Sequence, residues 1–184
     1  MKKFITQAGD MFEWRQLKKL ERSFELYKQT EVFGTLKFRS QWGTLAFSED
    51  PVQKWSFKRI GFLNPQVTIR MINADSDYAI FQPKLFSGGT LFPPDGRLVG
   101  WQPLNFWRTK WQFTDRRGDA ILILSQTLQS HNDPKLSDIL KIQATVTMET
   151  SHITNLEFSL LVNLGFYLLV LQSMDAAVTT AGAA

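Results

Sequence analysis

At 184 residues the chain is long enough for one domain to bury roughly 70% of the surface its unfolded form exposes, and fifteen Phe and six Trp supply a large apolar core. The absence of cysteine excludes disulfides, thiolate zinc sites and cysteine nucleophiles together. The net charge of +4 is unevenly placed: residues 1–117 hold 19 basic and 11 acidic side chains and residues 118–184 hold 2 and 6, an asymmetry that favours an anionic partner.

The opening MKKFITQAGD is basic, but no apolar run of signal-peptide length follows Phe4 and Ile5, so the chain is expected to stay in the cytoplasm. Residues 1–34 read as an N-terminal segment of open character. Trp14, Leu17, Leu20 and Phe24 fit one helical stripe, and short strands fit them equally well.

From Thr35 the period is two. Leu36 and Phe38 alternate with Lys37 and Arg39, Trp55 and Phe57 with Lys54, Ser56 and Lys58, and Val67, Ile69 and Met71 with Thr68 and Arg70. The same alternation sets Trp107, Trp111 and Phe113 against Arg108, Lys110 and Gln112, and Ile142, Ala144, Val146 and Met148 against Gln143, Thr145 and Thr147. Period two means strands with one wet face. Between them lie Glu49-Asp50-Pro51, Asn64-Pro65, Asn73-Ala74-Asp75, Ser87-Gly88-Gly89, Pro94-Asp95-Gly96, Arg117-Gly118-Asp119 and Asn132-Asp133-Pro134, all with turn chemistry. Short strands without crossover helices over residues 35–150 indicate a sandwich or a barrel.

Thr154-Asn155-Leu156-Glu157 reads as a capping box opening a helix over 154–178, with a short tail at 179–184. The run from Leu156 to Met174 is apolar around its circumference and must be enclosed by protein or lipid. Its nineteen residues would span roughly 28 Å, so a membrane anchor is physically admissible. Glu157, Ser159, Asn163, Gln172 and Ser173 within it, and the lack of a basic flank, argue for enclosure, with Gly165 and Ala176 placed where a wall comes close. The expected fold is therefore mainly β with α, a closed antiparallel β-barrel enclosing a hydrophobic C-terminal helix; the alternative is an integral membrane protein held by that helix.

This arrangement resembles the tubby-like fold of tubby C-terminal domains, phospholipid scramblases and LURP-one-related proteins. Locally the resemblance rests on Gly89-Thr90-Leu91-Phe92-Pro93-Pro94-Asp95-Gly96-Arg97-Leu98-Val99-Gly100-Trp101, on Asn105-Phe106-Trp107, on Asp115-Arg116-Arg117-Gly118, and on the closing Leu168-Leu169-Val170-Leu171-Gln172-Ser173-Met174-Asp175-Ala176. It implies a non-enzymatic protein acting at membranes or on phosphoinositide head groups, and it transfers no lipid-binding residue to this chain.

The residues themselves offer two basic groups as candidates for anionic phospholipid. The first is Lys54, Lys58, Arg59 and Arg70, within a stretch from Pro51 to Ala74 free of acidic residues. The second is Arg97, Arg108, Lys110, Arg116 and Arg117, interleaved with Trp101, Trp107 and Trp111. The bland alternative is solvated strand faces with the Trp side chains turned inward. Nucleic acid is the competing anionic partner, disfavoured by the absence of RNP-like strands. No enzyme signature emerges. His131 and His152 have no second His at ligand spacing, the pairs Asp75/Asp77 and Asp115/Asp119 are explained as turn formers, and Ser87-Gly88-Gly89 lacks the lysine of a phosphate loop. No catalytic residue, metal or cofactor is expected.

Overall fold

A computed structural model describes residues 7–18, 21–84, 88–126 and 142–181, the side chains of the last helical turn excepted. Asn132-Asp133-Pro134 and His131 lie outside the described residues.

The strands form in the order of the alternating segments. β1 (Met11–Gln16), β2 (Ser23–Lys28), β3 (Glu31–Phe38), β4 (Ala46–Glu49), β5 (Lys54–Ile60) and β6 (Gln66–Met71) are followed by β7 (Ala79–Lys84), β8 (Gly88–Phe92), β9 (Val99–Pro103), β10 (Lys110–Thr114), β11 (Ala120–Gln126) and β12 (Ala144–Met148). Each pairs antiparallel with its sequence neighbours. β1 then pairs with β12, Phe12 opposite Val146, which closes a twelve-stranded up-and-down barrel. The barrel thus begins at Met11, ahead of the 35–150 boundary expected, because the open N-terminal segment resolves into strands. Trp14 and Phe24 point inward, whereas Leu17 lies in a connection and is half exposed.

Alternation decides which face is dry. Phe12, Trp14, Leu36, Trp55, Phe57, Ile69, Phe113, Leu124 and Val146 are buried, while intervening residues such as Glu13, Arg15, Lys37, Lys58, Gln102 and Thr147 face outward. A polar outer wall around an apolar lumen is the inverse of a transmembrane β-barrel, whose outer band is apolar.

The lumen is filled by α1 (Asn155–Ala181), in which every residue from Phe158 to Leu171 is buried. The helix is enclosed by protein on all sides, which explains why it has no polar stripe. Its start is the expected capping box: Glu157 N–H donates to Thr154 Oγ1 (3.1 Å) and Thr154 N–H to the Glu157 carboxylate (2.8 Å). Phe158 packs on Phe12 (centroids 5.0 Å), Phe166 stacks on Trp14 (4.6 Å), and Tyr167 lies between Phe38 and Phe57 (5.5 and 5.3 Å). Fully burying each such ring contributes about 1.5–3 kcal/mol. Gly165 meets the wall as expected, for a Cβ there would fall 2.9 Å from Leu124 Cδ1 and 3.0 Å from Phe113 Cε2. Ala176 does not: it lies beyond the barrel and is exposed. The Gly88-Gly89 part of the expected turn starts β8 instead, where the Gly88 backbone at φ +98° presses against the Trp101 carbonyl.

Candidate functional site

A meander sends alternate connections to opposite ends. The mouth holding the helix start, the N-mouth, is built from β2–β3, β4–β5, β6–β7, β8–β9, β10–β11 and β12–α1. Among the described residues, the β3–β4, β5–β6 and β9–β10 connections, with residues 17–18 and 21–22 and the helix end, form the C-mouth.

The two mouths differ sharply in charge. At the N-mouth, Asp10, Glu31, Glu49, Asp50, Asp75, Asp77, Asp95, Asp115, Asp119, Glu149 and Glu157 outnumber Lys28, Lys54, Arg70, Arg97, Arg116 and Arg117. At the C-mouth, among the described residues, Lys18, Arg22, Arg39, Arg59, Lys84, Arg108 and Lys110 face only Glu21 and Asp175. Among the described residues a charge asymmetry therefore also runs along the barrel axis, because each hairpin contributes to both ends.

The C-mouth also carries the exposed apolar groups. Trp42 (91% exposed), Phe62 (97%), Leu63 (92%), Phe106 (90%) and Trp107 (79%) stand on three of its loops, and no other large hydrophobic among the described residues exceeds 60%. Each loop is internally braced. Arg22 Nη1 donates to the carbonyls of Ser40, Gln41 and Gly43, its guanidinium lies 3.6 Å from the Phe38 ring centroid, and Nη2 meets the Met174 sulfur at the helix end. Burial lowers the Arg22 pKa to about 10. In the second loop Gly61 adopts φ +82°, and a Cβ there would fall 2.6 Å from the Asn64 carbonyl oxygen, so only glycine fits the turn that presents Phe62 and Leu63. In the third, Asn105 Oδ1 accepts from the amides of Thr109 (3.0 Å) and Lys110 (3.1 Å), while Arg108 holds a left-handed φ of +55°. Phe106 and Trp107 pair edge to face at 5.4 Å above this frame.

The residues proposed from sequence divide between the ends. Lys54 and Lys58 share the outer face of β5, as alternation required, but Lys54 is paired with Glu49 (2.8 Å). Arg59 sits at the C-mouth in a two-bond pair with Asp175 (2.7 and 3.0 Å), which raises its pKa chiefly through that hydrogen bonding. Arg70 is paired with Asp77 near the N-mouth. Arg108 and Lys110 belong to the C-mouth. Arg97, Arg116 and Arg117 belong to the N-mouth, where they line a cavity of about 440 Å³. Neither basic group is therefore a single patch. Of the interleaved tryptophans, Trp101 and Trp111 are core, as the bland alternative had it, whereas Trp107 lies in a loop before β10 and is exposed.

Sequence reasoning gave no site role to Trp42, Phe62, Leu63 and Phe106. Their signal is an apolar residue flanked by turn formers, as in Gln41-Trp42-Gly43 and Gly61-Phe62-Leu63-Asn64-Pro65, where alternation gives it no inward position. Among the described residues no group of His, Asp and Glu is arranged to hold a metal ion. His152 lies in the β12–α1 connection and lines the N-mouth cavity.

No family model, curated protein or solved structure matches the chain.

Proposed function

We propose that the protein is a non-enzymatic, tubby-like barrel of the cytoplasm that docks by its C-mouth onto membranes containing anionic phospholipid. The observation that carries this reading is the coincidence of exposed Trp42, Phe62, Leu63, Phe106 and Trp107 with the basic rim at one mouth. Aromatic side chains favour the membrane–water interface. Basic groups beside them add roughly 1 kcal/mol each near an anionic surface. The braced loops support the reading as well, since side chains held outward on rigid frames bind without an ordering cost. The acidic N-mouth would be repelled by the same surface, which orients the barrel with its axis roughly upright.

The natural tryptophans report the test. Trp42 and Trp107 are exposed, and Trp14, Trp55, Trp101 and Trp111 are buried, so a blue shift on adding vesicles arises from the two loop residues. Phosphatidylserine vesicles are expected to give a saturable blue shift that weakens with salt, and pure phosphatidylcholine vesicles a much smaller one. The triple variant Trp42→Ala/Phe62→Ala/Phe106→Ala should lose affinity by about tenfold or more, as burial of apolar area predicts. Equal binding by wild type and variant, or no binding to anionic vesicles, overturns the proposal.

A further inference from the structure

The N-mouth cavity has no part in membrane docking, yet it has the build of a ligand site. Its floor is apolar, formed by Leu91, Val99, Ile121, Leu160 and Leu161 from three strands and the helix. At about 440 Å³ it falls within the range of roughly 300–1,000 Å³ in which proteins hold small molecules. Its rim decides what kind.

Most rim carboxylates are already committed. Asp95 accepts from the Arg97 amide (2.9 Å) and guanidinium (2.7 Å), and Glu157 accepts from Arg97 Nη2 (2.6 Å) and the Thr154 amide (2.8 Å). Asp115 Oδ1 accepts from the amides of Arg117 (2.8 Å) and Asp119 (3.0 Å). The guanidiniums of Arg116 and Arg117 are not saturated: Arg116 gives one N–H to the Gly96 carbonyl, and Arg117 makes no side-chain bond among the described residues. A guanidinium offers five donors. Against these stand the carboxylate of Asp119 and the second oxygen of Asp115, in a lining with four carboxylates and three guanidiniums, so the two arginines still offer more donors than these groups can accept. The unspent capacity of the rim is therefore for accepting groups, above an apolar floor.

We infer that this cavity binds an amphipathic anion, its apolar body on the Leu91–Leu161 floor and its carboxylate or phosphate at Arg116 and Arg117. The site opens at the mouth opposite the docking loops, so a barrel seated on a membrane keeps it accessible to solutes of the aqueous phase. Arg97, tied to both Asp95 and the first helical turn, fixes one side of the opening.

The full chain is titrated with sodium decanoate, decyl phosphate and decylamine, each below its micelle concentration, while methyl resonances of Leu91, Val99, Ile121 and Ile153 are followed by NMR. The two anions should give saturable shifts at these methyls, and their relative affinities separate carboxylate from phosphate. Arg116→Gln/Arg117→Gln, in an exposed turn, should weaken them by about tenfold. Val99→Phe, which occupies the floor, should block all binding there. Decylamine binding as tightly as decanoate, shifts confined to the Trp42 and Phe62 loops, or indifference to both variants overturns the inference. Vesicle binding should be unchanged in Arg116→Gln/Arg117→Gln, and decanoate binding unchanged in the docking-loop triple variant, so the two readings fail independently.

Discussion

The carboxylate of Asp50 accepts a 2.6 Å hydrogen bond from the hydroxyl of Ser159, 109 residues later in the chain. The same oxygen accepts from Asn163 Nδ2 (2.8 Å), Ser159 Oγ accepts from Trp55 Nε1 (2.8 Å), and the other Asp50 oxygen accepts the amides of Val52 and Gln53. One turn residue thus fixes its own hairpin and the axial position of the central helix. Asp50→Ala is expected to destabilise the protein by about 2–4 kcal/mol in urea unfolding, because two buried donors lose their acceptor. Asn163→Leu should cost less, since Asn163 Oδ1 is already buried without a partner and its desolvation is relieved.

Gly165 sets the clearance between helix and wall. Gly165→Leu places atoms into Leu124 and Phe113 and is expected to cost several kcal/mol, roughly 3 or more, or to abolish folding. Gly165→Ala should stay within about 1 kcal/mol of wild type, as the gain in helix propensity offsets the shift required of the Leu124 methyls. Thermal denaturation of the pair checks both.

Alkaline stability should report Tyr167. Burial raises its pKa above the usual value of 10.0, while its hydroxyl donates to the Thr44 carbonyl (2.7 Å). The unfolded chain loses this proton first, so the contribution is complete below about pH 10 and is lost as pH rises beyond it. Arg22 acts in the opposite sense. Its pKa is lowered to about 10, so above that pH the unfolded chain binds more protons and stability gains from this group. Tyr167→Phe separates the two: its unfolding free energy should fall less steeply above pH 10 than that of wild type.

The docking loops should depend on their braces. Arg22→Met removes the donors that hold the Ser40, Gln41 and Gly43 carbonyls, and Gly61→Val is incompatible with its turn. Each variant, if tested by phosphatidylserine flotation, should bind several-fold more weakly than wild type although every exposed aromatic is retained. Unchanged binding would show that loop rigidity contributes nothing.

The barrel was legible from Thr35 onward because inward positions such as Leu36, Trp55, Phe57 and Ile69 alternate with polar ones. The helix was legible because a segment apolar all round has only enclosure or lipid available to it. The first two strands were not legible, since Trp14, Leu17, Leu20 and Phe24 satisfy a helical spacing, and pairing of β1 with β12 across 130 residues leaves no local trace. The candidate site was read only in part. Arg108 and Lys110 lie at the C-mouth, but Lys54, Arg70, Arg97 and Arg116 lie toward the opposite mouth. Which turns share an end depends on the count of strands, and alternation named only β3, β5, β6, β10 and β12 of the twelve, so the unnamed strands and the loop position of Trp107 hid that grouping.

Closing the wall between β1 and β12 also sets the order of events in synthesis. The helix follows the last strand, so the strands leave the ribosome before the segment that fills their lumen. A sheet closed early would exclude the helix, and a sheet left open would expose Trp14, Trp55, Phe57 and Phe113 to water and to other chains. Productive folding therefore waits for α1 to emerge, and the nascent chain is at greatest risk of aggregation while its strands are out and the helix is not.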